Sequence, residues 1–106
     1  MTTETTENVI DIVKKKQTVR LPKEPGKFKV VVCNDDVTPA DFVIAMLMKI
    51  FRHDERTAVN LTIQVHEQGK GVAGVFTFEI AEQKAIDATN MARLNNFPLV
   101  IKIEAE

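Results

Sequence analysis

Hydrophobic and polar positions follow two regimes along the chain, divided near Gly26. From Phe28 they alternate, with Phe28, Val30 and Val32 on one side and Lys29, Val31 and Cys33 on the other, the period-two pattern of a strand with one fully apolar face. Asn34-Asp35-Asp36 ends this strand, because their side chains hydrogen-bond nearby backbone and favour turns. Thr38-Pro39-Ala40-Asp41 then predicts a helix start: Thr38 as N-cap, Pro39 in the first helical position, and the Asp41 carboxylate reaching back to the cap. Phe42, Val43, Met46, Leu47 and Ile50 recur at helical spacing. Arg52-His53-Asp54 breaks the helix, and Asp54 is placed to cap a second one. In that second helix Ala58, Leu61, Ile63 and Val65 are expected to bury one side, and Gly69 to end it. Joined so tightly, the two helices are expected to pack antiparallel.

Residues 72–78 read as a second strand, in which Gly74 marks a close backbone approach. Residues 79–94 form an Ala-rich third helix with Ala81, Ala85, Ala88 and Ala92 on its packing face, and after Pro98 a last strand alternates Leu99, Ile101 and Ile103 with Val100, Lys102 and Glu104. The order β-α-α-β-α-β predicts an α+β fold: a three-stranded, mainly antiparallel sheet covered on one face by three helices. Residues 27–106 make up this domain. Residues 1–26 read as a flexible N-terminal extension. There Thr2, Thr3, Thr5 and Thr6 mix with Glu, Val9, Ile10, Ile12 and Val13 precede Lys14-Lys15-Lys16 as a frayed helical turn, and Pro22, Pro25 and Gly26 close the segment.

Composition narrows the picture. At 106 residues, 44% hydrophobic and 27% charged, the chain is sized for one globular domain. Apolar stretches are interrupted well before the roughly 18 residues a membrane helix needs, and no secretory signal is read, so a cytoplasmic location is expected. A single cysteine, Cys33, makes neither an internal disulfide nor a cysteine-rich zinc site. The 14 basic residues nearly balance the 15 acidic ones. A nucleic-acid module would need a basic face to neutralise phosphates, so that class is set aside.

Groups able to carry chemistry are few. Asn34, Asp35 and Asp36 lie between strand and helix, where loops on a rigid scaffold often bind ligands, although an Asx-rich turn alone accounts for them. His66 follows core-facing Val65, and neither it nor His53 has the paired spacing of a metal helix. No serine elbow, phosphate loop or dinucleotide fingerprint occurs, so no enzyme and no cofactor is predicted. The two packed helices nevertheless have the geometry to bring the Asn34–Asp36 loop beside the end of the second helix. Thr38, Ala40, Val43 and Met46 would then line an apolar recess with Thr62, Val65 and Leu99, rimmed by an amide, a carboxylate and an imidazole. Such a site suits a ligand with one cationic hydrogen-bond donor beside an apolar side chain.

Taken together these stretches resemble the ClpS family, bacterial adaptors that deliver N-degron substrates to a Clp-family AAA+ unfoldase and its protease. The resemblance rests on Asn34-Asp35-Asp36-Val37-Thr38-Pro39, Val65-His66-Glu67-Gln68-Gly69 and Gly74-Val75-Phe76-Thr77, and runs from Phe28 to Ile103. It implies a noncatalytic, monomeric adaptor whose ligand is a protein N-terminus beginning with Leu, Phe, Tyr or Trp, with no nucleic-acid or membrane partner. Asn34, Asp35 and His66 fall on the family's α-amino-binding positions, and Thr38, Val43, Val65 and Leu99 on pocket positions. Glu79 and Lys84 fall on the surface associated with the unfoldase's N-terminal domain. The family often has Met where this chain has Ala40 and Thr62, so weaker discrimination against Ile and Val termini is expected. A neutral imidazole accepts an ammonium proton and a charged one does not, so binding is expected to weaken in mild acid. Two alternatives stand beside this reading. One is a ribosomal-stalk-like interaction module that binds no degron; the other is a small metal enzyme using Asp35, Asp36 and His66.

Overall fold

The computed structural model describes residues 26–106, so the expected helical turn at Val9–Val13 lies outside the described residues. The elements are β1 (Phe28–Cys33), α1 (Ala40–Ile50), α2 (Glu55–Gln68), β2 (Lys70–Phe76), α3 (Phe78–Leu94) and β3 (Val100–Ala105). The order and kind of every element match the sequence pattern. The sheet is fully antiparallel, in the order β2-β1-β3, so the most apolar strand is central. Phe28, Val30 and Val32 of β1 pack against Phe42, Val43, Met46 and Leu47 of α1, Ala58 and Val65 of α2, and all four predicted alanines of α3. Small side chains there let α3 lie close to the sheet. On the opposite face Val31 is buried among its strand neighbours, while Val72, Val75 and Val100 are exposed.

Several local expectations are corrected. Pro39, not Thr38, occupies the N-cap of α1, and its carbonyl accepts from the amides of Phe42 and Val43. Thr38 is drawn away by Asp35, and no side-chain cap forms at α1. In α2 the cap reads as expected, with the Asp54 carboxylate accepting from the Thr57 amide at 2.9 Å. Ile63, however, is 48% exposed, and Thr62 takes the buried position. The alternation seen as Leu61, Ile63, Val65 has period two, and a helix of 3.6 residues per turn cannot bury all three.

β2 begins two residues earlier than expected, at Lys70, and Phe78 belongs to α3. β1–β2 pairing slips between Val30↔Gly74 and Val31↔Val72, leaving Ala73 as a bulge residue. The displaced Ala73 carbonyl accepts from His53 Nε2 at 2.6 Å, which ties the α1–α2 connection to the sheet. Gly74 does sit under a close approach, but from a ring: a Cβ there would lie 2.5 Å from Cζ of Phe76. Lys84 of α3 donates to the Ile50 carbonyl at 2.9 Å and sits over the rings of Phe51 and Phe76 at 5.9 and 5.4 Å. That cation satisfies one of the carbonyls that the end of α1 leaves without a helical partner.

Candidate functional site

The loop after β1 is held at both ends. Cys33 pairs with Lys70 across the sheet, and the Asn34 amide donates to the Gly69 carbonyl at 2.9 Å. Gly69 caps α2 with φ +90°, a left-handed conformation that a side chain disfavours. His66 lies in the last turn of that helix, three residues earlier, and is exposed. One backbone hydrogen bond therefore fixes the Asn-Asp loop against the end of the helix that carries the imidazole. This is the juxtaposition expected from the sequence. Asn34 is exposed, and Asp35 is half-buried.

Asp35 is the most constrained group of the loop. Its Oδ1 accepts from the amides of Val37 and Thr38 at 2.8 and 2.7 Å, and its Oδ2 accepts from the Thr38 hydroxyl at 2.8 Å. Partial burial pushes the carboxyl up, but hydrogen bonds from Thr38 and Val37, helped by the charge of Arg93, outweigh it and hold Asp35 below its ordinary value. The group is thus a fixed anion at neutral pH. Each carboxylate oxygen has room for about two donors, so Oδ2 keeps capacity for another. Asp36 is exposed and no such framework surrounds it.

Val43, Met46, Val65 and Leu99 belong to one buried cluster, with Met46 and Leu99 almost wholly enclosed. Thr62 is buried too, and its hydroxyl donates to the Ala58 carbonyl of its own helix at 2.8 Å, so it offers no free donor. Thr38 is half-buried, and Ala40 is exposed on the first turn of α1. Of the residues expected to line a recess, Val43, Met46, Thr62, Val65 and Leu99 are thus buried side chains of the core, and Ala40 is exposed. A cavity of about 330 Å³ lies elsewhere, between α3 and β3.

Glu79 is exposed on the first turn of α3, whereas Lys84 is committed to the end of α1 as described above. Sequence reasoning missed Arg93. Its Nη1 donates to the carbonyls of Phe97 and Leu99, each at 2.8 Å, fixing the segment that delivers Leu99 while its charge acts on Asp35. A basic residue in the last turn of α3, just before Asn95-Asn96, was the available signal.

The family described as "ATP-dependent Clp protease adaptor protein ClpS" matches residues 23–102. A protein of Shewanella piezotolerans named ATP-dependent Clp protease adapter protein ClpS is 43% identical over 82 residues, covering 77% of this chain and 80% of that protein. A Bdellovibrio bacteriovorus protein of the same name is 44% identical over 82 residues, covering 77% and 72%. Among solved structures, Agrobacterium tumefaciens ClpS2 bound to L-phenylalaninamide superposes with a TM-score of 0.76 at 37% identity, covering 78% of this chain and all of that one.

Proposed function

The chain belongs to the ClpS family of Clp protease adaptors, and from that premise we propose that it binds proteins through a bulky hydrophobic N-terminal residue and delivers them to a Clp-family AAA+ unfoldase. Members of this family are adaptors and not enzymes. In the proposed complex Asn34, Asp35 and His66 receive the free α-amino group, and Thr38, Ala40, Val43, Met46, Thr62, Val65 and Leu99 surround the first side chain. Glu79 and Lys84 face the unfoldase's N-terminal domain.

The observation that carries the reading is the Asp35 carboxylate, held ionised by Thr38 and Val37 on a loop pinned to the end of the His66 helix. An anion fixed before the ligand arrives has little ordering to lose on binding a cation. The likeness to a protein bound to L-phenylalaninamide, a small amine with an aromatic side chain and a blocked carboxyl, supports the same ligand chemistry.

Magnitudes agree. A charge-assisted hydrogen bond contributes about 1.5–3 kcal/mol. Burial of a Leu or Phe side chain adds about 1.5–3 kcal/mol. Two or three such polar contacts then give roughly micromolar affinity once ordering costs are subtracted. Titration with a peptide bearing free N-terminal Leu and with its acetylated twin tests the proposal. Tight binding of the first alone is expected, and Asp35→Ala should remove the difference. Equal affinity for both peptides in the unaltered protein would remove the α-amino site from the account and favour a stalk-like interaction module.

A further inference from the structure

The groove between α3 and β3 is apart from the loop site and unused by it. Its walls are Ala85, Ile86 and Thr89 of α3 against Ile101 and Ile103 of β3, and its volume of about 330 Å³ is ample for aliphatic side chains; a cavity of about 150 Å³ already holds a benzene. Two kinds of unmet demand converge here. Among the described residues β3 is an edge strand. The Glu106 amide donates to the Lys27 carbonyl, which sets the alternation of the β1–β3 ladder. Val100, Lys102 and Glu104 accordingly bond to β1, and Ile101, Ile103 and Ala105 turn their N–H and C=O groups to the free edge. In addition Glu82, at the Phe78 end of α3, has Oε2 shielded from solvent with no hydrogen-bond partner among the described residues, an unfavourable state for a carboxylate oxygen.

We propose that this groove receives the chain's own segment 17–21, which adds to the outer edge of β3 as a fourth, parallel strand, with Val19 and Leu21 turned into the groove and Lys23 paired with Glu82. Chain geometry sets the direction. β1 starts at Phe28 opposite Ala105 at the end of β3, and the Phe28 ring meets the Phe78 ring at 5.2 Å, so residues preceding β1 emerge at the end of the groove where Glu82 stands. A segment entering β1 from the outer edge of β3 must leave that edge at this end, and therefore runs in the direction of β3. Crossing two strand spacings covers about 10 Å. Residues 22–27 span up to about 20 Å when extended.

The sequence fits the register. Gln17, Val19, Leu21 and Lys23 share one side of an extended segment, and Pro22, lacking an N–H, ends the pairing. Charge fits as well: Lys14, Lys15, Lys16, Arg20 and Lys23 fall between Asp11 and Glu24 with no acidic residue among them, while Glu82 and Glu104 line the groove alongside Lys102.

Amide hydrogen exchange on the full chain tests this. The amides of Ile101 and Ile103 face away from β1, so nothing in the three-stranded sheet protects them. A segment seated about 99% of the time slows their exchange about 100-fold. Leu21→Asp is expected to return them to the unprotected rate while Val100 and Lys102 stay slow. Lys23→Glu should reduce the protection, and adding Glu82→Lys should restore it. Fast exchange of Ile101 and Ile103 in the unaltered chain, or protection that survives Leu21→Asp, overturns the proposal. Protection that rises with protein concentration assigns the edge to a second copy and overturns it too.

Discussion

Asp35 folds the loop and offers a charge, and the two roles separate by pH. Its carboxyl titrates below the ordinary 3.8 in the folded protein. The stability it contributes is therefore complete above that ordinary value and is lost as pH falls through the lower, folded one. Asp35→Asn should be less stable than the parent at pH 7, by about 1–2 kcal/mol for the weakened acceptor set, and urea unfolding in progressively stronger acid should show the two converging. Ala40 has a different consequence. Ala40 is exposed on the first turn of α1; if it borders the proposed side-chain pocket, Ala40→Met should depress affinity for Ile- and Val-initiated peptides more than for Leu. Parallel titrations of the three peptides check this, and overpacking a methyl by about 1–3 kcal/mol sets the scale. Thr62 has no donor to offer a ligand, because its hydroxyl is satisfied within its own helix. Much of the candidate site was legible in the chain: Asn-Asp-Asp read as a turn, and it is one. What was not legible was which partner Thr38 chooses. A capping hydroxyl would accept from helix amides, but the Thr38 hydroxyl is oriented to donate to the ionised Asp35 carboxylate, and the cap position falls to Pro39.

At the scale of elements, the end of α2 joins fold to site. Gly69 supplies the left-handed cap and the carbonyl that receives Asn34. Gly69→Ala should cost about 1 kcal/mol and lower the thermal midpoint by about 4–8 °C for a domain of this size, with a parallel loss of peptide affinity as the loop shifts. Element order and type followed from periodicity because each apolar face is presented to a single core. The boundaries at β2 did not. Its early start and the bulge at Ala73 arise from pairing with β1, and the His53 bond that uses the bulge spans twenty residues of sequence. Long-range pairing of that kind leaves no local pattern to read. Ile63 misled for the opposite reason, an apolar residue that happens to fall on the outer side of its helix.

At the scale of the molecule, one cation joins three elements. Lys84 leaves α3, closes the last turn of α1 and rests between Phe51 and the Phe76 of β2. Lys84→Met keeps much of the stem's apolar packing but abandons the Ile50 carbonyl. A loss of about 1–3 kcal/mol is expected, read by denaturant unfolding, with faster amide exchange confined at first to the end of α1. The same helix carries Val43 and Met46, which border the proposed cargo site. One of the three N–H donors of Lys84 is spent on the Ile50 carbonyl, so a partner that drew the ammonium off that carbonyl would strain the end of the same helix that borders the proposed cargo site.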